Sequence, residues 1–220
     1  QTSRWNQSGP ELDRSINSTN FTAQVQSPTT PHRRVLNGVE YVIRKGSITN
    51  FTAKNECAIV NAANEQAVGG GGVDGAISKA GGTDLYNARV GLPKIWNNIR
   101  VRTGDARITE SGDLMDGTGV KWIIHAVGPN LTKEDENLDM LKAAYTSAVQ
   151  EAYMKDIQTV AFPIISGGVF RGNYSLEIII KTAFEALVGN ENELKHITFY
   201  GFSDDEVRLL CSELDSVSTA

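Results

Sequence analysis

The sequence predicts an α/β fold in which a largely parallel sheet lies between layers of helices. Short and almost entirely apolar runs, such as "ECAIVNAA" and "TVAFPIIS", are typical of strands that are covered on both faces. They alternate along the chain with longer segments in which apolar residues recur at helical spacing, such as "LDMLKAAYTSAVQEAYM". Because parallel strands need long crossover connections, this alternation favours a parallel sheet flanked by helices.

The predicted elements begin after a polar N-terminal segment. Residues 1–32 are rich in Ser, Thr, Asn, Gln and Pro, so we expect a flexible or partly docked extension, followed by one domain over residues 33–220. Two apolar runs around Asn37 and Gly38 predict a tight hairpin. The remaining predicted strands are "ECAIVNAA", "KWIIHAVG", "TVAFPIIS" and "HITFYGF", and the predicted helices are "DGAISKAGG", "LDMLKAAYTSAVQEAYM", "SLEIIIKTAFEALV" and "DDEVRLLCSEL".

The overall composition argues against several classes of protein. A chain of 220 residues with 40% hydrophobic and 21% charged residues has globular proportions. Its formal net charge of -5 provides no cationic field, so we expect neither nucleic acid nor a membrane as a partner. Two cysteines without a histidine cluster predict neither a disulfide framework nor a metal site. Without a membrane-length apolar run or the apolar core of a secretory signal, we expect a soluble, intracellular protein of the cytoplasm, the nucleus or an organelle matrix. We also expect a monomer.

Two glycine-rich loops stand between a predicted strand and a predicted helix. The first contains Gly69 to Gly72, ahead of a helix that begins near Val73, and the second reads "GGVFRGN", ahead of a helix that begins near Tyr174. A loop of this kind presents unpaired backbone N–H groups and the positive end of a helix dipole to an anion. In a parallel sheet such loops meet at one edge, so the pair would suit a diphosphate.

Other glycine loops fit the first segment less well. Gly70, Gly72 and Gly75 satisfy G-x-G-x-x-G, but "NEQAV" separates them from the strand, and "GLPKIWNN" stands where a dinucleotide-binding fold has its acid. A Walker A loop is excluded because no glycine-rich stretch ends in Gly-Lys-Ser or Gly-Lys-Thr. A turn that only needs positive φ seldom uses four glycines in a row.

The ordered motifs "IVNAAN", "GGGGVDGAI", "IIHAVGP" and "AFPIISGGVF" resemble the macrodomain family, and within it the MacroD-type hydrolases of mono-ADP-ribose. The resemblance covers about residues 35–215. It implies a three-layer α/β/α sandwich with a mixed central sheet, which binds ADP-ribose and needs no metal or cofactor. The second ligand loop departs from the family in having Gly167 where a threonine is common.

The resemblance assigns roles to the polar residues near the first loop. Asn61 is expected to be structural, whereas Asn64 is expected to bond the distal ribose, although an asparagine there also suits a turn closed by its own side chain. Asp74 is expected to orient or deprotonate the attacking water, or to assist the substrate's own phosphate. The alternative for Asp74 is an acid that only favours the helix dipole. His125 is expected to be structural.

The resemblance also assigns the two loops and the adenine end. One phosphate is expected on the first loop and the other on the second, with the residues Gly70, Gly71, Gly72 and Val73, and Ser166, Gly167, Gly168 and Val169, respectively. Phe170 is expected to close over the distal ribose, or else to be a core aromatic. At the adenine, Phe202 or Tyr200 is expected to stack. Ser47 stands in "KGSITNF" where most members have aspartate, so adenine recognition shifts towards the Ile48 backbone and Phe202.

These expectations define a function. The resemblance implies hydrolysis of the ester that joins mono-ADP-ribose to acidic side chains of proteins, with Asp74 and Asn64 as the catalytic residues. O-acetyl-ADP-ribose carries a similar ester and is a second expected substrate. The alternatives are an ADP-ribose reader without turnover and a phosphatase of ADP-ribose 1''-phosphate. Asp74 favours the enzyme over the reader, because non-hydrolytic members often lack an acid there.

Overall fold

A computed structural model describes residues 31–53 and 55–218. The predicted N-terminal extension lies outside the described residues up to residue 30, and its last residue, His32, begins the first strand. The described strands are β1 (His32–Leu36), β2 (Val39–Lys45), β3 (Ala58–Ala62), β4 (Ala106–Glu110), β5 (Trp122–Ala126), β6 (Thr159–Pro163) and β7 (His196–Gly201). The described α-helices are α1 (Gly72–Val90), α2 (Leu114–Thr118), α3 (Leu138–Tyr153), α4 (Leu176–Leu187) and α5 (Asp204–Ser216).

The described strands form one mixed, seven-stranded sheet in the order β1-β2-β7-β6-β3-β5-β4. The four pairings inside the sheet are parallel, and the two outer pairings, β1 with β2 and β4 with β5, are antiparallel. The predicted hairpin between β1 and β2 is present, with φ of 50° at Asn37 and 83° at Gly38. Two consecutive residues with positive φ match the right-handed twist of the flanking strands.

Helices cover both faces of the sheet. Helices α3, α4 and α5 pack on one face through buried side chains such as Tyr145, Phe184 and Leu210. Helices α1 and α2 pack on the other face, where Ile77 and Leu85 share a core with β3 and β5. Each buried side chain of this size contributes about 1.5–3 kcal/mol. The predicted three-layer α/β/α sandwich is therefore confirmed.

Several elements differ from the sequence prediction. Strand β4 and helix α2 were not predicted, and α1 continues past "DGAISKAGG" to Val90. The backbone of α1 breaks at Gly82, where φ of 62° and ψ of -154° are not helical. Helix α4 begins at Leu176 rather than near Tyr174, because the Ser175 side chain accepts a hydrogen bond from the backbone N–H of Ile178 and caps the helix. No helix among the described residues has the length and apolar character needed to cross a membrane.

The topology places both glycine-rich loops at the same edge of the sheet. Strands β3 and β6 are parallel neighbours, so their carboxyl ends lie side by side. The loop after β3 leads into α1, and the loop after β6 passes through a short 3₁₀ helix, Val169–Arg171, before α4. Ligands of such sheets bind beyond the carboxyl ends of the strands, so this edge is where a site is expected.

Candidate active site

A cleft of about 720 Å³ lies between the two glycine-rich loops. Ligand sites in proteins typically have volumes of about 300–1,000 Å³, so a nucleotide-sized molecule fits this one. Fifteen of the sixteen residues predicted for the site line the cleft: Ser47, Ile48, Asn64, Gly70, Gly71, Gly72, Val73, Asp74, Ser166, Gly167, Gly168, Val169, Phe170, Tyr200 and Phe202. The sixteenth, Asn61, is fully buried beneath the cleft.

The first loop offers backbone donors at the start of α1. Within the described part of the chain, the N–H groups of Gly70 and Gly71 donate no hydrogen bond. Gly72 opens the helix with φ of 58°, a conformation that favours glycine. The N-terminus of a helix carries a partial positive charge. These N–H groups are the donors that the predicted phosphate cradle would use.

The second loop faces the first across the cleft. Ser166 has φ of 56°, and its hydroxyl donates to the Pro129 carbonyl at 2.7 Å, which fixes the start of the loop. The N–H of Gly167 is already used, because it donates to the Ile164 carbonyl at 3.2 Å. The N–H of Gly168 has no acceptor among the described residues. Gly168 therefore offers a backbone donor that is free to meet an anion.

Asp74 is 2% exposed, although it belongs to the first turn of a helix. Its Oδ1 accepts a hydrogen bond from Asn61 Nδ2 at 2.9 Å, and Arg89 Nη2 lies 2.7 Å from the same oxygen. The contact with Arg89 is an ion pair rather than a well-aligned hydrogen bond. Oδ2 has no partner among the described residues. One carboxylate oxygen is thus held by the protein, and the other is left as an acceptor.

Asn61 connects Asp74 to a buried histidine. Asn61 Nδ2 lies 3.1 Å from His125 Nδ1, and His125 Nε2 lies 2.9 Å from the Thr109 hydroxyl. Because the amide must donate to the Asp74 carboxylate, the same nitrogen also donates to His125, which accepts at Nδ1. Burial, with a smaller contribution from the charge of Arg89, lowers the pKa of His125 to about 3. His125 is therefore neutral at physiological pH and serves the network rather than the cleft.

Asn64 closes its own loop with both ends of its amide. Nδ2 donates to the Gly69 carbonyl at 2.8 Å, and Oδ1 accepts from the Ala67 N–H at 3.0 Å. The side chain still lines the cleft, where the second amide hydrogen and the second lone pair have room for a ligand. A Cβ at Gly70 would lie 3.4 Å from Asn64 Nδ2 and 2.8 Å from Asp74 Oδ2. The two predicted catalytic side chains therefore approach each other beneath Gly70.

Aromatic side chains and a serine mark the remaining walls of the cleft. Phe202 is 79% exposed just beyond β7, whereas Tyr200 is buried and packs edge-on against Phe51. Of these two residues, Phe202 has the ring that is free to stack on a ligand. The Ser47 hydroxyl lies 2.7 Å from the Thr49 hydroxyl and caps a short 3₁₀ helix, Ile48–Asn50. Phe170 is 44% exposed and belongs to the loop after β6 rather than to the core.

The sequence prediction missed Arg89. This side chain is 1% exposed, yet it belongs to the same helix as Asp74 and contacts it directly. Nothing in the local sequence marks it, because an arginine fifteen residues after an acid is far away on a straight helix. Among the described residues, no group of three or more His, Cys, Asp or Glu side chains is placed to hold a metal ion. The two cysteines, buried Cys57 and half-buried Cys211, are free thiols.

An α/β sandwich with two glycine-rich loops at the carboxyl ends of neighbouring strands defines a class of protein that holds anions by its backbone. Known proteins share this arrangement. The model of the Macro domain family matches residues 60–181. A macro domain-containing protein of Vibrio parahaemolyticus is 38% identical over 156 residues, which is 71% of this chain and 88% of that protein. One from Listeria monocytogenes is 37% identical over 177 residues, which is 78% of this chain and 94% of that protein.

Solved structures show the same fold. A mutant of the Oceanobacillus iheyensis macrodomain with ADPR has a TM-score of 0.73 and 27% identity, over 84% of this chain and 97% of that one. The Trypanosoma brucei macrodomain in complex with ADP-ribose has a TM-score of 0.64 and 27% identity, over 79% of this chain and 68% of that one. The chain therefore belongs to the Macro domain family.

Proposed function

We propose that this chain binds ADP-ribose in the cleft and hydrolyses the ester that joins mono-ADP-ribose to acidic side chains of proteins. This is the activity of the MacroD-type members that the motifs resemble. The observation that carries the proposal is the Asp74 carboxylate, which is buried, held at Oδ1 and without a partner at Oδ2 among the described residues. A carboxylate used only to favour a helix dipole gains nothing from such burial, because desolvation weakens its charged form.

The cleft supports the binding step in three ways. Its volume suits a nucleotide diphosphate, and it is lined by Gly70, Gly71 and Gly168, whose N–H groups donate to no described residue. Phe202 provides an exposed ring for the adenine. Asn64 and Asp74 lie close together beneath Gly70, where the distal ribose would bind. ADP-ribose, as in the structures from Oceanobacillus iheyensis and Trypanosoma brucei, is therefore the ligand that we assign.

The chemical step needs a water molecule next to the scissile ester. The free Oδ2 of Asp74 would accept a hydrogen bond from this water and so orient its lone pair towards the ester. The water oxygen forms a bond to the electrophilic carbon of the ester, and the bond between that carbon and the leaving oxygen breaks. The water proton passes to Asp74 or to the substrate's phosphate, and the products are ADP-ribose and the free acidic side chain. Phe170 would close over the distal ribose and exclude other water.

O-acetyl-ADP-ribose would present an ester to the same atoms, so we propose its deacetylation as a second reaction of the same site. This substrate has no protein part, so its turnover depends on the cleft alone. Mono-ADP-ribosylated proteins and O-acetyl-ADP-ribose are thus the proposed substrates, with ADP-ribose as the common product.

The test compares Asp74→Asn with wild type and with Asp84→Asn. In Asp74→Asn the amide oxygen of the new side chain can still accept from Arg89, while an NH₂ group replaces the acceptor at Oδ2. Asp84 lies exposed on the same helix, so its substitution makes the same chemical change away from the cleft. Release of ADP-ribose from a glutamate-modified protein and affinity for ADP-ribose by calorimetry are measured for all three proteins.

We expect wild type and Asp84→Asn to release ADP-ribose, and Asp74→Asn to lose at least about a hundredfold in kcat while still binding it. Binding without release by wild type would leave a reader module in place of an enzyme. Release of phosphate from ADP-ribose 1''-phosphate, with no release from the modified protein, would identify the phosphatase alternative. No binding of ADP-ribose by wild type would refute the proposal entirely.

A further inference from the structure

Arg89 is the largest fully buried side chain of the described residues, and it contacts both Asp74 and the loop that carries Asn64. Its Nε donates to the Ala67 carbonyl at 2.5 Å, and its Nη1 donates to the Ser78 hydroxyl at 2.8 Å. Its Nη2 lies 2.7 Å from Asp74 Oδ1. A guanidinium has donors in a fixed plane, so three contacts in different directions determine its position.

One of these contacts reaches the loop that carries Asn64. Ala67 donates its N–H to both the carbonyl and the side-chain oxygen of Asn64, at 2.9 and 3.0 Å. Ala67 is fully buried and has φ of 55°, which is uncommon for a residue with a Cβ. The Ala67 carbonyl then accepts from Arg89. A short chain of bonds therefore runs from Asn64 through Ala67 and Arg89 to Asp74.

The charge of Arg89 also has no substitute nearby. The charged and titratable groups that face Asp74 in the described structure are Arg89 from α1 and, through Asn61, His125 from β5. His125 is neutral at physiological pH because burial and the Arg89 charge lower its pKa to about 3. A buried carboxylate without an opposite charge takes up a proton. Arg89 is therefore the group that balances the charge of Asp74.

We propose that Arg89 is a positioning residue for hydrolysis, and this inference rests on the function proposed above. It holds Asp74 Oδ1 and leaves Oδ2, which is buried and has no partner among the described residues, as the acceptor. Through Ala67 it also fixes the distance between Asp74 and Asn64. Arg89 itself does not line the cleft, so it acts on the reaction only through these two side chains.

The experiment uses Arg89→Met, Arg89→Lys and the control Arg102→Met, each in the full chain. Methionine keeps the length of the side chain and removes the charge, whereas lysine keeps the charge and removes the planar set of donors. Arg102 is exposed, so its change to methionine is chemically matched. The measurements are kcat for ester hydrolysis as a function of pH, the Kd of ADP-ribose, and chemical denaturation.

For Arg89→Met we expect kcat at neutral pH to fall on the order of a hundredfold, because small displacements of catalytic groups have such effects. Its pH profile should also differ from that of wild type, because removal of Arg89 takes the opposite charge away from a buried carboxylate. Arg89→Lys should keep the pH profile of wild type and lose roughly tenfold in kcat. The Kd of ADP-ribose should stay within about threefold of wild type in both variants, because the phosphate and adenine contacts are untouched.

The outcomes separate this inference from the proposed function. If wild type releases no ADP-ribose, the proposed function fails first. If wild type is active and folded Arg89→Met has the same kcat and pH profile, only the role of Arg89 is refuted. If Arg89→Met does not fold, Arg89→Lys decides: a reduced kcat with an unchanged Kd supports positioning, and wild-type kcat overturns it. Failure of both variants to fold would assign Arg89 to stability and overturn the inference.

Discussion

The contact between Gly70 and the two predicted catalytic side chains allows a sharp prediction. In Gly70→Ala the new methyl group would lie 2.8 Å from Asp74 Oδ2, whereas ordinary contact begins at about 3.4 Å. The methyl group and the carboxylate must therefore separate by roughly 0.6 Å. Asp74 is held at Oδ1 by Asn61 and Arg89, so the movement cannot be absorbed by a free rotation.

The size of the effect follows from this displacement. A misplacement of about 1 Å at a reacting centre costs on the order of a hundredfold in rate, so we expect kcat to fall by roughly 10- to 100-fold. Overpacking of this kind also lowers the free energy of unfolding by about 1–3 kcal/mol. Release of ADP-ribose from a glutamate-modified protein measures the first effect, and urea denaturation measures the second.

Gly117→Ala is the matched control. Gly117 lies in α2, and a Cβ there would have no atom within 4 Å. We expect unchanged turnover and a gain in stability of up to about 1 kcal/mol, because alanine loses less conformational entropy than glycine in a helix. If Gly70→Ala and the control Gly117→Ala both keep the kcat of wild type, the reaction does not depend on a rigidly held Asp74.

Three further predictions concern single side chains. Protonation of His125 favours the unfolded chain, because its pKa is about 3 when folded and about 6.5 when unfolded. As the pH falls from about 6.5 towards 3, the free energy of unfolding should drop by up to about 1.4 kcal/mol per pH unit. Denaturation of His125→Gln at several pH values should show a smaller dependence of the free energy of unfolding on pH over this range. Phe202→Ala should weaken ADP-ribose binding by about 1–3 kcal/mol in calorimetry, with little change in the free energy of unfolding. An unchanged affinity would exclude stacking of the Phe202 ring on the adenine. Phe170→Ala should lower kcat and leave the Kd of ADP-ribose nearly unchanged, whereas equal kcat would show that its ring does not shield the reaction.

The sequence predicts the position of both glycine-rich loops because the order of strand, loop and helix is a local property. "ECAIVNAA" and "TVAFPIIS" become the neighbouring strands β3 and β6, and their carboxyl ends bring the loops together. Strand β4 was missed for a physical reason. It lies at the edge of the sheet, and its sequence "ARITE" exposes the charged side chains Arg107 and Glu110, so it lacks the apolar run of the central strands.

The pairing of Asp74 with Arg89 could not be predicted for a different reason. On a straight helix, residues fifteen positions apart are separated by roughly 22 Å, which is beyond the reach of an arginine. The break at Gly82 changes the direction of α1 and makes the contact possible. A sequence pattern shows two glycines at Gly81 and Gly82, but the direction of the second half of the helix depends on packing against the rest of the fold.

The lining of the cleft has a consequence for how its ligand responds to salt. Among the described residues that form its walls there is no Lys, Arg or His, and the nearest buried guanidinium is already matched by Asp74. Surface ion pairs are screened over about 8 Å at physiological ionic strength, whereas short hydrogen bonds from backbone N–H groups are not. An anion held in this way displaces few bound counterions, so its Kd should change little between about 50 and 500 mM salt. Recognition then depends on the arrangement and direction of the N–H groups, so an acidic protein can bind a polyanion without a cluster of cationic side chains.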